Sequence, residues 1–530
     1  MPRVIEADVA IIGGGISSAM VAERVAEDTE ASIAVIEAGN RIFDFEDRFN
    51  TRRRFLDYGE NPYQGDHIPG HSCKNAQSRA MSVGGLAMHW GGTTPRYSPE
   101  DFRLRSLFGV GTDWPISYDD LDPFYQEAEE RIGVAGEPGP PEYDPRSGGY
   151  PMDPLPTSYN LTLAKEWAEK SGIPYWRNPV SKNSRPWRGR RECIRCDTCS
   201  ICPTGAKYSP DFTFRSLLEA GRITLHDRTM VRRLVPKADS DAIGQADAFH
   251  RDDPDDPVTI RARHFVLAAG YAWSSHLLLM SAGGRFPDGI ANRSGTVGRF
   301  ITGHRWVNAF VSVPMRLYPG IYRQDSLLSK RFQHKDDEAQ PDGKYIRHDL
   351  RIWESDVGKR ARLRDDHGNL LLGDAALNDW RRRIETGSLR MRGYYDVIPA
   401  RESALTLEPN RKNRWGDPLP RIDFVDDPVS AELRGYTEQK IEERFRRILT
   451  AGGGAMLNIS FASDYDHPGG GCRMGDDPDD SVVDAWGRAH DHENLWIAGA
   501  PTIVGSGCNN GTLTFAALSL RTASRLTGEL

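Results

Sequence analysis

An α/β fold, with one sheet assembled from distant parts of the chain and joined to a second, mainly β region, is predicted by three observations. The first is a β-α-β pattern in residues 1–40. The second is the recurrence of short apolar runs that end in glycine: Ala7–Ile12 before Gly13, Phe265–Ala269 before Gly270, and Leu495–Ala498 before Gly499. The third is a change to mixed polarity over residues about 306–445, rich in Arg and Trp and with scattered alternation as in FVSVPMRLYP.

The composition sets the limits. A chain of 530 residues, at about 100–200 per domain, holds two to four folding units. With 38% hydrophobic and 27% charged residues it can bury a large core, which excludes disordered and collagen-like classes. No run of eighteen apolar residues occurs, so no membrane span is expected. The start, MPRVIEADVAIIGGG, enters a strand pattern without the charged, apolar and cleavage-site order of a secretory leader, and a cytoplasmic location is expected. A net charge of -7 provides no field for nucleic acid. Seven cysteines in so long a chain do not form a disulfide scaffold. Residues 136–149, GEPGPPEYDPRSGG, are expected to be a surface connection.

Taken in order, Ala7–Ile12 is a strand, Gly13–Gly15 a tight turn, Ile16–Ala26 a helix by apolar spacing, and Ser32–Ile36 a second strand that ends at Glu37. Ile12-Gly13-Gly14-Gly15-Ile16-Ser17-Ser18 fits G-x-G-x-x-G/A loosely, with Ser18 at the third small position, and makes this unit Rossmann-like. Gly13 permits the turn and Gly15 the approach of backbone to a pyrophosphate. The helix start at Ile16 and Ser17 presents free N–H groups and a partial positive charge to a diphosphate. Glu37 can accept hydrogen bonds from ribose hydroxyls. These features point to a dinucleotide without separating FAD from NAD.

Farther along stand His467-Pro468-Gly469-Gly470-Gly471-Cys472-Arg473-Met474-Gly475, Asn494–Ala500 and Asn510-Gly511-Thr512-Leu513-Thr514. Val83-Gly84-Gly85 leads to His89-Trp90-Gly91-Gly92, and Val297-Gly298-Arg299 lies between. Together these segments resemble the glucose-methanol-choline (GMC) oxidoreductases, which hold FAD, and the likeness spans both ends and the middle of the chain. Within that family VGGLAMHWGGTTPR is most similar to pyranose oxidases and to bacterial sugar and glycoside dehydrogenases and oxidases. The resemblance implies a Rossmann-like FAD domain from residues 1–305 and 446–530, with inserted loops at about 100–190, and a mainly β substrate domain from residues 306–445. It places Gly270, Gly499, Ala500 and Thr512 by the diphosphate or flavin, Val231 at the adenine, and Gly84, Gly85, Trp90 and Gly91 around the isoalloxazine. His89 falls where pyranose oxidases attach flavin covalently, while relatives with the same His-Trp pair hold flavin without a bond; both roles stay open.

His467 matches the family's catalytic histidine, and its side-chain type suits the removal of a hydroxyl proton while hydride leaves carbon. Asn510 matches the partner position, where it can orient an oxygen but cannot take a proton. The resemblance implies oxidation of a secondary hydroxyl, at C3 or C2, of a pyranose or glycoside, with electrons passed to dioxygen or a quinone-type acceptor. A rival is the catalytic subunit of an iron-sulfur glycoside dehydrogenase complex with a small partner subunit. An FAD-containing lyase and a NAD-dependent reductase are rivals from other classes. Cys193, Cys196, Cys199 and Cys202, at C-x2-C-x2-C-x2-C-Pro, are candidate soft-metal ligands. Their spacing also allows zinc, local disulfides or plain thiols.

Overall fold

The computed structural model describes residues 3–44, 46–48, 81–196, 199–318, 326–354, 362–365, 367–463 and 465–530. In chain order its strands are β1 (Arg3–Ile12), β2 (Ile33–Ile36), β3 (Trp176–Arg177), β4 (Thr224–His226), β5 (Thr229–Pro236), β6 (Ile243–His250), β7 (Asp253–Leu267), β8 (Thr302–Val313), β9 (Ser326–Ser329), β10 (Leu350–Glu354), β11 (Gly387–Tyr395), β12 (Ala404–Lys412), β13 (Pro418–Asp423), β14 (Ala455–Phe461), β15 (Asp466–Gly469) and β16 (Leu495–Ile497). The helices that matter to the site are α1 (Ile16–Asp28), α2 (Tyr118–Ile132), α3 (Gly270–Met280), α4 (Pro428–Gly452) and α5 (Thr512–Thr527).

The first sheet has the order β4-β2-β1-β7-β6-β5, with β16 also paired to β7. Its centre is parallel: β1 pairs with both β2 and β7, β2 with β4, and β7 with β16. Parallel strands covered on both faces read as continuous apolar runs, and Val9, Ala10 and Ile11 of β1 and Phe265, Val266 and Leu267 of β7 are fully buried. The three glycine-ended runs thus become neighbouring strands whose carboxyl ends open on one crevice. β5, β6 and the outer part of β7 pair antiparallel. On one face α5 packs against α1 and α2, and the Tyr125 hydroxyl lies 2.8 Å from Thr514 Oγ1.

The second sheet has the order β14-β8-β11-β10-β9-β3, with β15 paired to β8. Its inner face, including Val307, Val311, Ile352 and Met391, packs on Ile441, Phe445 and Ile448 of α4. β8 begins at Thr302, position 446 lies within α4, and residues 455–461 return as β14 alongside β8. Polarity along the chain reports burial, whereas sheet membership depends on which distant strand completes the hydrogen-bond ladder. Residues 136–149 are also more than a surface connection, because Asp144 is buried and accepts from Lys330 Nζ at 2.6 Å.

Candidate active site

A cleft of about 430 Å³ runs along the carboxyl ends of β1 and β7 and reaches β15. Such crevices are where open parallel sheets bind ligands. Its wall takes in Gly13, Gly15, Ile16, Ser17, Glu37, Gly85, His89, Trp90, Val231, Gly270, Ala500, Thr512 and His467. Gly84, Gly91, Gly499 and Asn510 do not form part of that wall. Gly91 is exposed. Gly84 stands one layer back, where its N–H donates to the Gly14 carbonyl at 2.7 Å. Gly499 also stands back, held at φ +79° where a Cβ would come within 2.0 Å of Ser17 Oγ.

At the end of β1, Gly13 has φ +111°, and a Cβ there would meet the Ala268 carbonyl oxygen at 2.6 Å. Only glycine combines that backbone conformation with so close an approach of β1 to β7. Helix α1 begins at Gly15 with no side-chain cap and no acid in its first turn, and the space at a Gly15 Cβ is open. Uncapped N–H groups facing a cleft fit the diphosphate of a dinucleotide. Glu37 accepts from the N–H groups of Gly14 and Gly39, both at 2.6 Å. Burial pushes its carboxyl up to about 7, against the pull of those two donors. Each oxygen keeps a second lone pair for a ribose hydroxyl. The residues present therefore fit FAD.

The His89 segment is held from behind. Lys207 Nζ donates to the carbonyls of Met88 at 3.0 Å and Trp90 at 2.8 Å, and Trp90 Nε1 donates to the Tyr208 carbonyl at 2.9 Å. Burial pushes the Lys207 amine down to about 7, an effect partly offset by Cys199 and Cys202. Among the described residues no three His, Cys, Asp or Glu side chains are grouped to hold an ion. Cys196 is exposed, Cys193 and Cys199 are half-buried, and Cys202 is buried. Burial raises the thiols of Cys193 and Cys199, while the Lys207 and Thr204 hydrogen bonds outweigh burial at Cys202 and lower it. The four differ in burial, yet Cys193, Cys199 and Cys202 lie near enough to act on one another's charge.

At the other end of the cleft His467 sits between β15 residues paired to β8, in an irregular register where Asp466 faces His304 and Gly469 faces Thr302. Its φ of +50° is unusual for a residue with a side chain, and strain of this kind is held by surrounding structure. His467 Nε2 lies 2.7 Å from Asn510 Nδ2, and its Nδ1 lies 2.8 Å from Nε2 of His304. The two residues singled out from sequence are thus brought together. Sequence reasoning missed His304, whose only signal was an isolated histidine at a buried position of a strand.

Hydrogen-bond chemistry orients this chain. Arg351 Nη1 can only donate, and it bonds to Asn510 Oδ1. The Asn510 amide group therefore faces His467, whose Nε2 must accept and so carries a lone pair. A neutral His467 then bears its proton on Nδ1 and donates to His304 Nε2. Arg351 is fixed in turn by Asp349, at 2.6 Å from Nε. Burial holds His467 below the usual histidine value, with Arg351 and Arg392 pressing the same way and Asp466 opposing. Burial holds His304 well below it, and its protonation is opposed further by His467, were that ring also charged, and by Arg351. Both rings are consequently neutral at pH 7.

Comparison with known proteins points the same way. The family model described as GMC oxidoreductase matches residues 399–519. The chain is 30% identical to the fructose dehydrogenase large subunit of Gluconobacter japonicus, over 100% of this chain and 99% of that one. It is 30% identical to paromamine 6'-oxidase of Streptomyces fradiae, over 99% and 92% of the two chains. Among solved structures, pyridoxine 4-oxidase from Mesorbium loti superposes with a TM-score of 0.59 at 19% identity, covering 98% of each chain, and shares the fold.

Proposed function

Because the chain belongs to the GMC oxidoreductase family, whose members oxidise alcohol CH–OH groups, we propose that it converts a secondary hydroxyl (C3 or C2) of a pyranose sugar or glycoside to the ketone. Dioxygen or an external acceptor takes the electrons. The observation that carries this reading is the His467–Asn510 pair, 2.7 Å apart, with His467 on the wall of a cleft shaped for a dinucleotide. The relatives fructose dehydrogenase and paromamine 6'-oxidase support a carbohydrate substrate.

FAD, when bound, supplies the hydride acceptor. Gly13, Gly15, Ile16 and Ser17 would hold its diphosphate, Glu37 its ribose, and Val231 its adenine. Gly85, His89, Trp90, Gly270, Ala500 and Thr512 would line the remainder. The substrate hydroxyl replaces the Asn510 amide on His467 Nε2 and gives its proton there as hydride leaves carbon. Asn510, unable to take a proton, turns its N–H to the hydroxyl oxygen and fixes the carbon that reacts. His304 stays neutral and keeps the Nδ1 proton of His467 in place, so the new charge resides on His467, where Asp466 favours it. An anaerobic titration of the holoenzyme with free sugars, O-glycosides and C-glycosides tests the reading. Bleaching of the flavin by at least one of them is expected, and no bleaching by any overturns it. Admission of air then distinguishes the acceptors, since an oxidase recolours with peroxide.

A further inference from the structure

The two faces of the second sheet differ sharply. Ile352 and Met391, opposite each other on β10 and β11, point into the core. On the alternate positions Arg351 stands opposite Arg392, and Trp353 opposite Arg390. Like charges directly opposite in a sheet are destabilising, so this arrangement needs a compensating partner. Arg351 has one, bonded to Asp349 and Asn510. Among the described residues the hydrogen-bond partners of Arg392 are neutral: it donates to the Tyr394 hydroxyl at 2.7 Å and lies 3.5 Å from Asn308 Oδ1. Arg390 has a buried Nε with no hydrogen-bond partner among the described residues. Among the described residues no carboxylate forms an ion pair with Arg390 or Arg392. Asp466, the acid beside this wall, contacts the Tyr394 hydroxyl at 3.5 Å instead.

Both guanidinium groups lie by indole rings. Arg390 is 4.7 Å from the Trp353 centroid, and Arg392 is 5.5 Å from Trp353 and 5.1 Å from Trp306. Contact with an aromatic face restrains a guanidinium while leaving its N–H groups able to bond in their own plane, where they match an oxyanion in bidentate fashion. Burial and the neighbouring Arg392 both weaken the hold of Arg390 on its proton, the mark of a cation without its counter-charge. The wall adjoins the reacting pair, because the Tyr394 ring is 5.3 Å from the Arg392 guanidinium and 5.7 Å from the His467 ring.

We infer that the substrate is an anionic sugar, a pyranose or glycoside bearing a carboxylate or a phosphate, whose oxyanion is bound by Arg390 and Arg392 while its hydroxyl meets His467 and Asn510. The inference rests on the reading of that pair as an alcohol-oxidising site. Two distinct oxyanions share the recognition chemistry, and matched substrates separate them.

The test compares methyl glucoside, methyl glucuronide and methyl glucoside 6-phosphate with the anaerobic holoenzyme, following flavin bleaching. These probes share the ring hydroxyls at C2 and C3. Charge-assisted hydrogen bonds make one anionic member better than the neutral one by about 10- to 100-fold in kcat/KM, and the preferred arm identifies the oxyanion. Arg390→Gln and Arg392→Gln each reduce that ratio about tenfold, and Arg392→Lys retains part of it. Calorimetric titration of His467→Gln holoenzyme with the preferred anion still shows binding, a readout independent of turnover. Equal or better use of the neutral glucoside, or a ratio unchanged in both glutamine variants, overturns the inference while leaving sugar oxidation in place. If no sugar of either kind bleaches the flavin, the reading of the alcohol site falls and this inference with it.

Discussion

Replacing His467 tests the chemistry at the atom on which it depends. Its Nε2 is kept as an acceptor by the Asn510 amide, which Arg351 orients from behind. Removing the base is expected to slow flavin reduction by about 10²- to 10⁴-fold, equivalent to about 3–5 kcal/mol of barrier. His467→Ala also strands the Asn510 amide and His304 Nε2 in a buried site, at about 1–3 kcal/mol of stability each. His467→Gln is therefore the companion variant, since its amide can hydrogen-bond but cannot take a proton. Stopped-flow reduction under anaerobic conditions separates the rate at saturation from substrate affinity, and both variants lose the former. The pH dependence follows from the same geometry. The base must be neutral, and burial holds His467 below the ordinary value of 6.5. Reduction is then level at pH 7 and above and falls about tenfold per unit once pH drops beneath the depressed value. A Gln variant within about threefold of the parent, or an acidic limb centred above pH 7, would refute the assignment.

His304→Leu removes the acceptor for the Nδ1 proton of His467, so reduction slows about tenfold and its acidic limb moves to lower pH; His304→Gln, which supplies an oxygen acceptor, restores much of the rate if His304 acts by positioning. Gly13→Ala forces a Cβ to within 2.6 Å of the Ala268 carbonyl oxygen at φ +111°, costs about 3 kcal/mol or more, and is checked by melting temperature and bound flavin per chain. Glu37, raised from 4.5 to about 7 by burial, contributes stability to the apoprotein that is full below pH 4.5 and is lost as pH rises through about 7. The change is about 3 kcal/mol, and denaturant melts across that range should show a slope that Glu37→Gln flattens.

What could be read from sequence was local. A strand run, a glycine turn and an amphipathic helix each follow from the conformational preferences of adjacent residues, so the β1-α1-β2 unit, the Glu37 position and the glycine-ended strands β7 and β16 were legible before any coordinates. The pairing of His467 with Asn510 was legible only through resemblance, because 43 positions separate them. Tertiary structure decided the rest. His304 comes from β8, 163 positions from His467, and Arg351 comes from β10, 159 positions from Asn510. No periodicity marks such partners, since a hydrogen bond requires only that two backbones be carried to the same place. The same holds for the outer face of the second sheet, where strand register alone sets Arg351 against Arg392 and leaves Arg390 and Arg392 without an ion pair among the described residues. Local preference chose the elements, and long-range packing chose which side chains meet.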